Sequence, residues 1–383
     1  MTTIQRMPRV ESLTGLRWFA AFFVFLHHVV NLAPLPALYS WSWLGVSGVT
    51  FFFVLSGFVL TWSWTPRDTA PRFYRRRFAR IYPLLFVSTL LAIPVFYGSS
   101  QPWQKPFELV PVLLSLLLIQ AWFVPNSIFF AGNPAAWSLS EEAFFYAVFP
   151  FTIRRMITAR LRVIFSIALT AGLITWAVLA WTRWADISNE LATFVLRAPP
   201  YRAMEFLLGM CLGVAIRRGW RSPVGLLPAI AIFGVLATAL GIWAHHPDTE
   251  ALFHATALMD QVLAPAYALI IAAAAQRDLD GRRSVLRSSP LVALGQWSYA
   301  FYLVHATVIY AMRLAHGGVV VGVGAQLAAI ALALGLSVFA AWMLYRIVEH
   351  PLERRLRGAP LPVVVDSSRR VELEPHEAAK AGA

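Results

Sequence analysis

Residues 14–30 read TGLRWFAAFFVFLHHVV, an apolar run that nevertheless carries Arg17 and, eleven positions later, His28. A run of this character reads as a membrane helix. An ionisable group at the centre of such a helix costs roughly 2.5–3.5 kcal/mol on insertion scales, so it usually serves a pathway, a partner or a reaction. At about 100° per residue, eleven residues return to within roughly 20° of the starting face, about 16 Å further along the axis. Arg17 and His28 therefore share a stripe and His27 points about 100° away. Of the tandem histidines, His28 is the one expected to work with Arg17, and at that separation the two are not expected to touch.

The rest of the chain is of the same kind. Its 383 residues are 58% hydrophobic and 13% charged, whereas soluble domains carry about 25% charged residues. An all-α, polytopic membrane bundle follows, with the lipid bilayer as a partner. The net charge of +13 does not point to nucleic acid, because the basic residues cluster in short stretches between apolar runs, the positive-inside pattern. The single cysteine, Cys211, excludes an internal disulfide framework. No metal-binding cysteine or histidine cluster and no internal repeat is visible. Arg6 and Arg9 precede the first run without a small-residue cleavage site after it, so this run is expected to be a retained span.

Apolar segments fall near 14–32, 44–64, 82–98, 108–125, 138–152, 163–181, 203–216, 224–243, 255–275, 291–315 and 323–348. Arginines follow the second (Arg72, Arg75, Arg76, Arg77, Arg80), fifth (Arg154, Arg155, Arg160, Arg162) and seventh (Arg217, Arg218, Arg221). They also follow the ninth (Arg277, Arg282, Arg283, Arg287) and the last (Arg354, Arg355, Arg357). The intervening loops are poor in positive charge: 99–107 has only Lys105, and 244–254 has Asp248 and Glu250. If 66–80 and 153–162 are both cytoplasmic, an even number of crossings separates them, yet three apolar segments lie between. One must be re-entrant, and 138–152, opening on Trp137-Ser-Leu-Ser-Glu-Glu142, is the expected one, since polar segments at membrane depth are tolerated where they line a cavity. The expectation is ten spanning helices plus one half-inserted segment in a domain of residues 1–357, both termini cytoplasmic, and a disordered tail over 358–383.

Several motifs carry chemistry. Gly48-Val-Thr-Phe-Phe-Phe-Val-Leu-Ser-Gly-Phe58 holds a close-packing Ser56-Gly57 pair. In Phe73-Tyr-Arg-Arg-Arg-Phe-Ala-Arg-Ile-Tyr-Pro83, Arg76, Arg77 and Arg80 fall on one helical face, and three converging guanidiniums suit a polyphosphate. Together with Leu13-Thr-Gly-Leu-Arg17, His28, Trp137–Glu142 with Phe145-Tyr146, Tyr201–Gly209, Ser298-Tyr-Ala-Phe-Tyr-Leu-Val-His305 and Val348-Glu-His-Pro351, these segments resemble, in the same order, the acyltransferase 3 family of integral-membrane acyl-CoA O-acyltransferases. The resemblance runs from about residue 11 to 355. Thr50 stands where relatives are often acidic, and no role is assigned to it. The extracytoplasmic hydrolase-like domain of larger relatives is not seen, which tilts the expected acceptor from a polysaccharide toward a small glycosylated molecule.

The resemblance implies transfer of an acyl group, acetyl by default, from acyl-CoA as donor substrate to a hydroxyl of a sugar-containing acceptor, a glycosylated secondary metabolite or a cell-envelope glycan, at the cytoplasmic membrane. No permanently bound cofactor is expected. O-acylation needs a base for the hydroxyl proton and a donor for the oxyanion. His28 is the expected base, since imidazole titrates near neutrality. Arg17, Arg76, Arg77, Arg80 and Tyr82 are expected to hold acyl-CoA. His305 lies about as deep in its helix as His28 does, roughly 21 Å at 1.5 Å per residue, as one site built from two helices requires. Trp137, Ser138, Ser298 and Tyr302 are candidate substrate contacts. Glu142 is a further catalytic candidate that would orient a histidine, pair with a buried arginine or bind the acceptor. Glu141 is expected on the solvent side, Arg202 and Glu205 as an intrahelical ion pair, and Glu349 as the structural partner of a loop arginine. The rival from another class is a proton-coupled transporter, which would also keep Arg, His and Glu inside a bundle but usually shows repeats and broken helices.

Overall fold

The computed structural model of the chain describes residues 7–185, 187–244 and 249–358. Among these it is helical throughout, the only strand-like feature being an isolated bridge between Tyr97 and Lys105. Ten helices of sixteen or more residues form the body. They are α1 (Glu11–Val29), α2 (Gly48–Ser63), α3 (Ala70–Phe96), α4 (Trp137–Met156), α5 (Leu161–Trp184), α6 (Pro199–Arg217), α7 (Leu226–Ala244), α8 (Thr249–Leu279), α9 (Ser289–His316) and α10 (Val323–Leu344). Among the described residues, five stretches are long and apolar enough to cross a membrane: Ala70–Phe96, Leu161–Trp184, Leu226–Trp243, Leu258–Leu279 and Val323–Leu356. α1, α4 and α6 are not among them; these three hold Arg17, His27 and His28, Glu141 and Glu142, and Arg202 and Glu205.

The arginine-rich connections lie together on one side, because they bond to one another. Arg217 donates to the carbonyls of Thr61, Trp62 and Trp64. Arg218 donates to Ile157, Arg221 pairs with Asp280, and Arg287 with Glu11. Arg75 reaches the Leu356 carbonyl, and Asp278 accepts from the backbone and hydroxyl of Ser12.

Residues 138–152, expected as a half-inserted segment, lie in α4, a continuous helix of 20 residues. Within 108–125, only Leu109–Leu116 is α-helical, 8 residues or about 12 Å, and Leu118 then adopts φ 60. Of the polar residues of α4, Ser138 bonds to Tyr302 and Glu142 to Ser56 and Tyr146, so no break in the backbone is needed to answer them. Likewise, Arg72 to Arg80 are not in a loop: Pro71 in the first turn starts α3, and the helix carries the arginines inward. Residues 359–383 of the expected tail, and Asp248, lie outside the described residues.

Helix packing is set by two glycine seams. A Cβ on Gly57 of α2 would stand 2.0 Å from the Phe206 carbonyl oxygen of α6, and one on Gly209 of α6 would stand 1.9 Å from that of Val54. On the other side of the bundle, a Cβ on Gly15 of α1 would stand 2.1 Å from the Leu286 oxygen, and one on Gly295 of α9 would stand 1.8 Å from that of Thr14. Small residues let backbones meet where lipid offers no hydrophobic drive. Phe25, Phe58, Phe145, Phe149 and Phe301 fill the spaces between, all fully buried. Gly209→Ala is expected to cost about 1–3 kcal/mol by overpacking, whereas Gly234→Ala, with open space around it, is expected to be neutral or slightly stabilising. Thermal unfolding in detergent measures both.

Candidate active site

His28 is the penultimate residue of α1, about 25 Å from Glu11 along the axis, and His305 lies about 24 Å from Ser289 on α9. The Gly15–Gly295 seam puts these helices side by side, and the two rings meet. His305 Nε2 is 3.1 Å from His28 Nδ1, with the rings edge to face at 5.0 Å. His28 Nδ1 also lies 2.9 Å from the Val24 carbonyl, and His305 Nδ1 lies 3.1 Å from that of Phe301.

These contacts fix the protons. A carbonyl only accepts, so both Nδ1 atoms carry hydrogen. In the neutral rings, His305 Nε2 then holds a lone pair and accepts from the His28 Nδ1–H, which it shares with Val24. His28 Nε2 is left as the basic nitrogen. A proton arriving there disturbs none of the three bonds. His305 is fully buried, while His28 borders a cavity of about 150 Å³ with His27, Trp137, Tyr302, Arg197 and Asp260. The His27 ring lies edge to face with that of His28 at 4.9 Å, and its Nδ1 donates to the Ser42 carbonyl at 3.1 Å.

A second cavity, about 170 Å³, lies toward the basic side and is lined by Arg17, Arg77, Arg80, Glu142, Ser298 and Tyr299 among others. Val49 and Tyr302 border both cavities. They stand between the two, and the Tyr302 hydroxyl shares a hydrogen bond with Ser138 at 2.8 Å. Arg17 and Arg77 have no carboxylate within 4 Å among the described residues. The Arg77 guanidinium lies over the rings of Phe73 and Tyr146, 5.8 Å from each.

Other expectations need correction. Arg76, Arg77 and Arg80 do not converge: Arg76 is bound to Asp68 at 2.7 Å and does not line the cavity. Arg80 lines it but is held by Glu349 and by Glu353. Glu349 thus pairs with an arginine inside α3, not with a loop. Tyr82 stacks on Phe78 at 4.7 Å, away from either cavity, and Tyr299 takes the place expected of it, under Arg80. Glu142 touches neither histidine; it accepts from Tyr146 at 2.6 Å and from Ser56 at 3.1 Å. Trp137 lines the histidine cavity, Ser138 and Ser298 the arginine cavity, and the Ser298 hydroxyl donates to Gly295.

A third polar group was missed. Arg202 of α6 lies 3.0 Å from Glu205, as expected, but also donates to Asp260 of α8 at 2.5 Å and to Thr50 of α2 at 3.1 Å. Thr50 in turn donates to the other Asp260 oxygen at 2.6 Å. So Thr50, given no role, is fully buried in the centre of this network. Glu141 is not on the solvent side: it is fully buried and neither oxygen has a hydrogen-bond partner. Asp260 was findable by the reasoning applied to Arg17, being an acid within the apolar run 255–275.

Residues 10–346 match the family model described as an acyltransferase domain, and the chain belongs to this family, the acyltransferase 3 enzymes. It is similar to acyltransferase MdmB of Streptomyces mycarofaciens, 36% identical over 94% of this chain and 95% of that protein. It is also similar to the exopolysaccharide production protein ExoZ of Rhizobium meliloti, 27% identical over 82% and 92% of the two chains. The match to the peptidoglycan O-acetyltransferase OatA of Listeria monocytogenes is 23% identical over 62% of this chain and 39% of that one. No solved structure matches. The protein is a membrane acyltransferase, and the transporter reading gives way.

Removing one member of a buried ion pair strands the other, at about 3–5 kcal/mol. Asp260→Ala is therefore expected to lower the melting temperature far more than Asp280→Ala, whose partner Arg221 is exposed.

Proposed function

We propose that the chain moves an acyl group, acetyl by default, from acyl-CoA to a hydroxyl of a sugar-containing acceptor, with His28 as general base. The reading places ten crossings in the cytoplasmic membrane, the basic side and both termini facing the cytoplasm, in keeping with positive-inside charge. Acyl-CoA comes from that side, its phosphates met by Arg17 and Arg77, the two cavity arginines without a carboxylate. Glu142, tied to Tyr146 and Ser56, shapes this chamber. The thioester reaches the boundary between the cavities at Val49 and Tyr302, where the Tyr302 hydroxyl meets the developing oxyanion. His28 Nε2 takes the acceptor proton as the hydroxyl oxygen attacks the thioester carbonyl. The C–S bond then breaks and the thiolate takes the proton from the imidazolium. His305 steadies the charged ring through its Nε2 lone pair.

The observation that carries this reading is the histidine pair, whose bonds leave Nε2 as the basic nitrogen of His28, a residue that lines the cavity. The test follows radiolabel from acetyl-CoA into the lipid, glycan and small-molecule fractions of membranes containing each variant. His28→Ala is expected to reduce transfer by about 100-fold or more, and His27→Ala, which leaves the base in place, to reduce it far less. Equal label in wild type and His28→Ala overturns the assignment of the base. Arg77→Gln is expected to raise the KM for acetyl-CoA about tenfold, the worth of one charge-assisted hydrogen bond, while Arg76→Gln leaves it unchanged.

A further inference from the structure

The histidine cavity contains polar groups that neither donor binding nor the base requires. Asp260 is held from two sides, by Arg202 and by Thr50. Each of its oxygens has a second lone pair, and the residue lines the cavity. Arg197 lines it too, from the short helix Asn189–Arg197. Its guanidinium lies over the rings of Phe129 and Phe130, 5.6 Å from each. No carboxylate pairs with it among the described residues. Trp137, packed on Phe129 at 5.3 Å, supplies an aromatic wall. A cavity of about 150 Å³ is large enough for a six-membered ring. Buried charge of this kind is expensive in a membrane protein and marks function.

We propose that this cavity seats the acceptor, and that Asp260 and Arg197 read the hydroxyls of a sugar ring whose apolar face rests on Trp137. The inference rests on His28 being the base. A sugar ring alternates apolar faces with hydroxyl edges, and the cavity offers an aromatic face, a fixed carboxylate acceptor and a fixed guanidinium donor. His28 lines the same space, which brings a hydroxyl of that ring beside the residue that carries the base. The donor chamber meets this space only at Val49 and Tyr302, which gives the two substrates separate seats.

Thr193 also lines the cavity, and its hydroxyl donates only to the Asn189 carbonyl of its own helix. The natural cysteine, Cys211, is buried and does not line either cavity. Thr193→Cys therefore provides a selective handle for a trimethylammonium-ethyl methanethiosulfonate reagent. After treatment, this variant is expected to lose transfer at least tenfold while its binding of labelled acetyl-CoA is unchanged, and wild type is expected to be unaffected. Transfer that survives modification overturns the acceptor seat. Loss of acetyl-CoA binding together with transfer overturns it as well, by assigning the cavity to the donor. Untreated protein that binds no acetyl-CoA overturns the donor reading, and this inference with it. Arg197→Gln tests the polar wall without breaking an ion pair: transfer is expected to fall at least fivefold at unchanged acetyl-CoA affinity, and undiminished transfer removes Arg197 from recognition. The labelled product is expected to release acetate from carbohydrate in mild alkali; a product without carbohydrate overturns the sugar.

Discussion

Between helices in a bilayer no water is at hand, so each buried polar atom must be answered by another part of the protein. The site is organised by this requirement. His28 and His305 answer one another and the carbonyls of their own helices. Arg202 is answered by Asp260, Glu205 and Thr50, drawing α2, α6 and α8 together. Arg80 is answered from the end of the chain, by Glu349 and Glu353. Of the groups left over, Arg17, Arg77, Arg197 and His28 line cavities, while Glu141 lines neither. A polar group whose partners are already present holds the bundle; one without them on a cavity wall is a candidate to face a substrate.

This distinction also explains how far the sequence could be read. Ionisable residues in apolar runs pointed to Arg17, His28 and His305, and equal depth along two helices brought the histidines together correctly. Spacing along one helix could not show which arginines were already occupied. Arg76, Arg77 and Arg80 look equivalent on a helical wheel, but Asp68, Glu349 and Glu353 take two of them from sites distant in sequence or in another turn. The same blindness hid the Thr50–Asp260–Arg202 network, whose members are separated by 58 to 210 positions.

The basic stretches led to the expectation of one broken segment, and hydropathy pointed to the most polar, 138–152. That stretch lies in the unbroken α4, whose Ser138 and Glu142 bond to Tyr302 and Ser56 on other helices, while the more apolar 108–125 breaks after 8 helical residues and a left-handed Leu118. Polarity in such a segment thus reports what lies beside it more than whether its backbone is broken.

The reciprocal glycines of α2 and α6 have a mechanical consequence. Where two backbones touch with no side chains between them, there is no rotamer to change and no gap to close, so the pair behaves as one stiff beam. That beam carries Thr50, Phe53 and Ser56 on one strip and Arg202 on the other. Any widening of either chamber must therefore come from the opposite wall, from α9 with Tyr302 or from the irregular stretch ahead of α4, and the beam is the fixed edge against which they move.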